Sequence, residues 1–315
     1  ICTGSTITLT ANGGATGTNG TFEWGTGTTV GNNIISGESA GTISVSPTTT
    51  TVYWVRRFDS LPCNAATSGV TYTVNVNVDG IAPTSISGTE SLCFGTGGTT
   101  LTAIGGTLGT GGRYQWGTGT VVGSNAIAGT TNSISINPNT TTTYWVRIVN
   151  GTPCTTFTNG VTIEIAVSRA STAPTAIAGN ASICIGGSTT LTATGGTLAA
   201  DGIYQWGTGY TVGSNIISGS GVSIVVSPTT STVYWVRRLD VAPCNTETNG
   251  VTREVVVGTS SIAPTSISGT SPMCFNNGTT PLTAVGGTLG TNGLYQWGTG
   301  ATIGANVISG QTANV

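Results

Sequence analysis

Apolar and polar positions alternate along this chain in short runs that stop abruptly at glycine, proline, asparagine and serine. In Thr189-Thr190-Leu191-Thr192-Ala193 the alternation is strict, and Gly195-Gly196 ends it. Ile203-Tyr204-Gln205-Trp206 follows, closed by Gly207-Thr208-Gly209. Val222–Val226 runs into Ser227-Pro228, and Thr232–Arg237 and Val251–Val257 complete the set. Runs of β-branched and aromatic residues between turn-formers predict strands, and a period of two predicts sheets with one face buried. No stretch carries a 3.6-residue apolar period, so no helix is predicted. Six or seven short antiparallel strands in about 90 residues predict a β-sandwich.

The same pattern returns along the whole chain. Cys2, Cys93, Cys184 and Cys274 are spaced by 91, 91 and 90 residues; Trp24, Trp116, Trp206 and Trp297 by 92, 90 and 91. A second tryptophan set, Trp54, Trp145 and Trp235, keeps 91 and 90, and the segment Ile81–Thr89 recurs letter for letter at Ile262–Thr270. A repeat of ~91 residues is a small domain's worth of chain, not a solenoid turn. Cutting at the linkers around Pro83, Pro174 and Pro264 gives repeat 1 over residues 1–79, repeat 2 over 80–170, repeat 3 over 171–261 and repeat 4 over 262–315. Repeat 1 lacks the lead-in to its cysteine and repeat 4 stops before its Tyr-Trp segment. The expectation is a window on a longer tandem array, which also accounts for the absent initiator Met and signal peptide.

Composition narrows the function. Charged residues are 6% of the chain, against roughly 25% in ordinary soluble domains. There is no histidine and no lysine; all eight basic residues are arginine. A net charge of −2 without a basic run argues against nucleic-acid binding. No apolar stretch approaches 18 residues, so no membrane-inserting segment is expected here. With neither His nor Lys to activate a serine, and with acidic residues scattered singly, no catalytic residues and no cofactor are expected.

Cys184-Ile185-Gly186-Gly187-Ser188-Thr189-Thr190-Leu191-Thr192-Ala193, Tyr204-Gln205-Trp206 and Ser227–Trp235 together resemble the immunoglobulin-like repeats of giant secreted surface proteins of Bacteroidota. Such repeats occur in gliding-motility-type adhesins and other cargo of the type IX secretion system. The resemblance covers all four repeats and implies an extracellular, cell-surface-attached structural and adhesive fibre. Its partners would be neighbouring repeats of the same chain and, beyond them, surface polysaccharide or other cells. Two alternatives remain: an accessory glycan-binding array of a secreted polysaccharide-degrading enzyme, and a self-assembling filament subunit.

Particular residues carry the remaining expectations. The cysteines suggest one bridge per repeat, Cys2–Cys63, Cys93–Cys154 and Cys184–Cys244, with the partner of Cys274 beyond the segment. The rival scheme joins consecutive repeats as Cys63–Cys93 and Cys154–Cys184. No CxxC pair or histidine supports zinc, and Asp79, near a repeat boundary, is the one acidic residue placed for an inter-repeat calcium ion. In Tyr-Trp strands the two rings point to opposite faces. Trp54, Trp145 and Trp235 are therefore the candidates for glycan contact, the plainer alternative being that they pack under a loop. Arg56-Arg57 and Arg237-Arg238 diverge by the same rule, which favours local pairing with Asp59 and Asp240 over a ligand clamp. Asp59-Ser60-Leu61 matches an Asp-Ser/Thr-apolar sequon, making Ser60 a candidate for O-glycosylation.

Overall fold

The computed structural model describes residues 1–315 apart from Thr16, Thr18, Cys274, Asn276 and Asn277. Among the described residues there is no helix, and hence none long and apolar enough to cross a membrane. The chain divides into two compact units, Ile1–Ser168 and Arg169–Val315.

In the first unit, repeat 2 forms a two-sheet sandwich. One sheet has five strands in the order Ala126–Ile127, Arg113–Thr118, Thr142–Val149, Val161–Ser168 and Ser91–Cys93; the other orders Ser133–Ile136, Thr99–Ile104 and Ser85–Ser87. The opening segment therefore serves both sheets. Ser85–Ser87 pairs antiparallel with Thr99–Ile104, and Ser91–Cys93 crosses over to run parallel with Val161–Ser168. This two-sheet arrangement, with its split first strand, is immunoglobulin-like. Alternation along Thr99–Ile104 and Ser133–Ile136 sends Leu101, Ala103, Ile134 and Ile136 inward, where they meet Trp116, Tyr144, Val146 and Ile165. Each fully buried aliphatic residue in such a layer contributes roughly 1.5–3 kcal/mol.

Repeat 1 keeps the strand pairs Ile7–Thr10 with Thr42–Val45 and Gly20–Thr26 with Thr51–Asp59, packed on Leu9, Trp24, Ile43, Val45, Tyr53 and Val74. In the second unit, repeat 3 reproduces repeat 2 strand for strand around Leu191, Trp206, Tyr234, Val236 and Val255. Repeat 4 contributes the pair Ser266–Ser268 and Thr283–Val285. Burial pushes the Tyr53, Tyr144 and Tyr234 phenols above their ordinary pKa, so these core rings stay neutral.

The pole at which each cysteine lies overturns the intra-repeat bridges. Cys93 pairs in register with Ser168, at the end of Val161–Ser168. That strand is antiparallel to Thr142–Val149, with Thr142 opposite Ile165 and Val146 opposite Val161. Cys93 thus lies at the Thr142 pole of the sandwich, whereas Cys154 follows Val149 at the other. Eight residues of strand separate the poles by roughly 25 Å, and a disulfide needs Cα atoms within about 7 Å. The same reasoning parts Cys184, registered with Gly258, from Cys244, which follows Asp240. The bridge observed instead is Cys2–Cys154. Cys93 and Cys244 are also disulfide-bonded, whereas Cys63 and Cys184 are free thiols, so neither expected scheme holds. Cys274 lies outside the described residues.

Candidate functional site: a staple between repeats

The Cys2–Cys154 bridge closes 152 residues, with Cα atoms 5.1 Å apart, and joins repeat 1 to repeat 2. Each half is placed by backbone. Cys2 bridges in parallel to Asn77, Thr3 N–H donates to the Asn77 carbonyl at 2.9 Å, and Asn77 N–H donates to the Ile1 carbonyl at 2.9 Å. The opening cysteine is therefore tied to the point where repeat 1 ends. Cys154 sits in the turn after Thr142–Val149, its N–H on the Gly151 carbonyl at 2.9 Å.

The linker Asn77–Gly80 brings these halves together. Asn77 Nδ2 donates to the Thr152 carbonyl at 2.9 Å. Val78 and Thr110 exchange hydrogen bonds, Val78 N–H to Thr110 Oγ1 at 3.2 Å and Thr110 N–H to the Val78 carbonyl at 3.0 Å. Gly109 has no side chain because a Cβ there would stand 2.3 Å from the Val78 oxygen. Asn150, 5% exposed, is the hub of the joint: its Oδ1 accepts from Gly80 N–H at 2.8 Å and its Nδ2 donates to Asp79 Oδ1 at 2.8 Å and to Thr156 Oγ1 at 2.8 Å. Nearly every polar group at this joint is matched, which is what makes a buried polar network stabilising.

Cys2, Asp79 and Cys154 place their ligand atoms within 4.8 Å of one another, the spacing of a metal site. Both sulfurs are spent in the disulfide, however, and Asp79 Oδ1 already accepts from Asn150 and from Thr156 Oγ1 at 2.9 Å. The donor set does not fit calcium, which takes six to eight oxygens. Asp79 is a joint residue.

In the second unit the counterpart of Asn150 is Asp240, 8% exposed, which accepts from the Ser171 hydroxyl, from Ser171 N–H at 2.7 Å and from Thr246 Oγ1 at 2.7 Å. Burial alone would raise its pKa. The hydrogen bonds from the Ser171 side chain, Thr246 and the Ser171 backbone outweigh it and hold the carboxyl below its ordinary value. A depressed folded-state pKa gives stability that is present above the unfolded carboxylate pKa and lost as pH falls through the folded one. Urea midpoints measured between pH 7 and pH 2 should therefore fall at the acid end. Asp240→Asn should flatten that limb, and an unchanged limb would remove Asp240 from the account.

The three candidate glycan-contact tryptophans are not available to a ligand. Trp54, Trp145 and Trp235 are 1%, 0% and 0% exposed. They do face away from the sandwich core, as the strand period requires, but each lies flat across a glycine on the paired strand, Gly25, Gly117 or Gly207. A Cβ on Gly117 would stand 2.1 Å from the Trp145 ring. A loop closes over the indole, whose Nε1–H donates to the carbonyl of Asn32, Ser124 or Ser214, each at 2.9 Å. An arginine covers the flank: Arg147 stands 5.6 Å from the Trp145 centroid and donates to Gln115 Oε1 at 2.7 Å. The tryptophans are a second, outer core.

Adjacent arginines diverge as expected, but the first of each pair meets a glutamate in place of the expected aspartate, and the second donates to backbone carbonyls. Arg56 pairs with Glu23 at 2.5 Å and Arg237 with Glu247 at 2.6 Å. Arg238, 3% exposed, donates to backbone carbonyls of Thr172 and Gly195 and to the Tyr204 hydroxyl. Ser60 is exposed in the loop after Thr51–Asp59.

The class that fold and joint define is a tandem array of immunoglobulin-like β-sandwiches. No known family's profile matches the chain, and no curated protein does. Among solved structures, similarity extends to the mouse nectin-like molecule 4 ectodomain (Ig1–Ig3), at 12% identity and a TM-score of 0.37 over 81% of this chain and 95% of that one. An ICAM-5 D1–D4 ectodomain fragment matches at 12% identity and a TM-score of 0.38, over 81% and 73%. The chicken CNTN1 FN1–FN3 domains match at 9% and 0.28, over 80% and 94%.

Proposed function

We propose that this chain is a load-bearing segment of an extracellular structural and adhesive fibre, each 91-residue repeat forming one sandwich and successive sandwiches being covalently stapled. The observation that carries this reading is the Cys2–Cys154 bridge over a linker hydrogen-bonded to repeat 2 through Asn77, Val78 and Gly80. A single staple fixes the joint and closes a covalent path across two repeats, a use of cysteine suited to a stalk under tension. Disulfides of this kind persist in oxidising compartments. The neutral surface, with 6% charged residues and no lysine, limits nonspecific electrostatic contacts. On the resemblance to gliding-adhesin repeats, we read the fibre as displayed on a cell surface of the Bacteroidota type and delivered by type IX secretion, with the exposed Ser60 as its candidate for glycosylation. The test is immunolabelling of intact producing cells with an antibody against residues 80–170. Label on unpermeabilised cells is the expected result; label only after permeabilisation would overturn the proposal.

A further inference from the structure

The two free cysteines occupy the same places as the two halves of the staple. Cys184 stands where Cys2 stands one repeat pair earlier. It registers with Gly258 at the end of Val251–Gly258, and Ile185 N–H donates to the Gly258 carbonyl at 2.9 Å, as Thr3 N–H does to Asn77. The joint beyond it is already formed. Thr259 N–H donates to Thr291 Oγ1 at 3.0 Å, Thr291 N–H returns to the Thr259 carbonyl at 3.0 Å, and Ile262 bridges Thr288. These repeat the Val78–Thr110 exchange and the Ile81–Thr107 bridge of the stapled joint. Gly290 keeps the place of Gly109, since a Cβ there would stand 2.1 Å from the Thr259 oxygen. Cys63, in Leu61-Pro62-Cys63-Asn64 after Thr51–Asp59, occupies the place of Cys154 in Thr152-Pro153-Cys154-Thr155.

We propose that Cys184 and Cys63 are the two complementary open halves of the same inter-repeat disulfide. Cys184 takes a cysteine from the Pro-Cys loop of the repeat that follows its own, and Cys63 takes the opening cysteine of a repeat ahead of it. This rests on the stapled-array reading. Each bond forms by thiol–disulfide exchange. One protein thiolate attacks a low-molecular-weight disulfide and releases one thiol; the second protein thiolate displaces the other. Two protein thiols are oxidised to one disulfide, the small disulfide is reduced to two thiols, and the two thiol protons go to solvent and the released thiolates.

The chain's own sequence supplies the test. Val315 holds the place of Ser223, since Trp297 Nε1 donates to the Ala313 carbonyl as Trp206 Nε1 does to Gly221, so a copy of residues 224–261 appended after Val315 completes repeat 4 and brings a Pro-Cys loop. After oxidation with glutathione disulfide, non-reducing peptide mapping should find Cys184 joined to the grafted cysteine, and Cys184 should become resistant to alkylation until reduced. A grafted cysteine joined to Cys274, or left as a thiol beside a free Cys184, overturns the proposal. A second extension, a copy of residues 93–182 placed before Ile1, sets a cysteine ahead of Cys63 at the Cys2-to-Cys154 interval. Here a Cys63 that still alkylates overturns it. The Cys2–Cys154 peptide in the same digests separates the two ideas: its absence defeats the stapled array itself, whereas its presence beside unpaired Cys63 and Cys184 defeats the extension alone.

Discussion

Pulled between handles at Ile1 and Ser168 of the intact chain, the oxidised protein should yield almost no length, and Cys2→Ser should release about 500 Å. The bridge shunts force from Cys2 directly to Cys154, so the stretch between them, a sequence separation of 152, lies off the load path. At roughly 3.3–3.6 Å per extended residue, freeing it gives that length. Optical-trap extension curves of the wild type, before and after reduction, and of Cys2→Ser read it directly. Equal extensions in all three would remove the staple, and with it the mechanical role. The bridge also has a thermodynamic effect. Closing a loop of this size stabilises by about 5 kcal/mol in the chain-entropy model. Joint and sandwich should therefore melt earlier together when it is cut.

The second large effect concerns the outer tryptophan. Trp145→Ala should destabilise repeat 2 by about 3–5 kcal/mol, the usual cost of emptying a buried aromatic site. Gly117→Ala should cost about 1–3 kcal/mol by overpacking, because the added methyl would stand 2.1 Å from that ring. The two are coupled: with Trp145 already alanine, Gly117→Ala has room, and its cost should largely vanish. Hydrogen exchange along Thr142–Val149 in the double-mutant cycle would show it. Additive effects would mean that the indole does not lie over Gly117. Were Trp145 a ligand platform, its removal would leave stability nearly unchanged.

Both results bear on what could be read in advance. The strands, their faces and the repeat were legible because each is written locally. Thr99–Ile104 alternates as it is buried, and Tyr144 and Trp145 do point to opposite faces. Divergence of Arg56 and Arg57 followed from the same period. Their partners did not, because Glu23 lies 33 residues away in sequence and meets Arg56 only through strand register. The glycine opposite each outer tryptophan was visible as the Trp-Gly-Thr sequence of the neighbouring strand. That Gly117 stands directly opposite Trp145 is a fact of pairing, not of spacing.

The cysteines mark the boundary most sharply. In an array of near-identical units every pairing scheme recurs once per repeat, so the recurring intervals of 61, 61 and 60 residues could not distinguish a bridge within a unit from one between units. Sequence alone determined an all-β chain of 91-residue units with two cysteines in each complete unit and two aromatic layers. The tertiary structure decided which cysteines meet, because the parallel crossover of the opening strand puts one at the far pole and the linker seats the next sandwich's near pole beside it. It also decided that the outer tryptophans are closed over, because only the folded loop shows what lies above an outward-facing ring. Local patterning fixes the face a residue takes; which pole and which neighbour it finds depend on contacts more than a hundred residues apart.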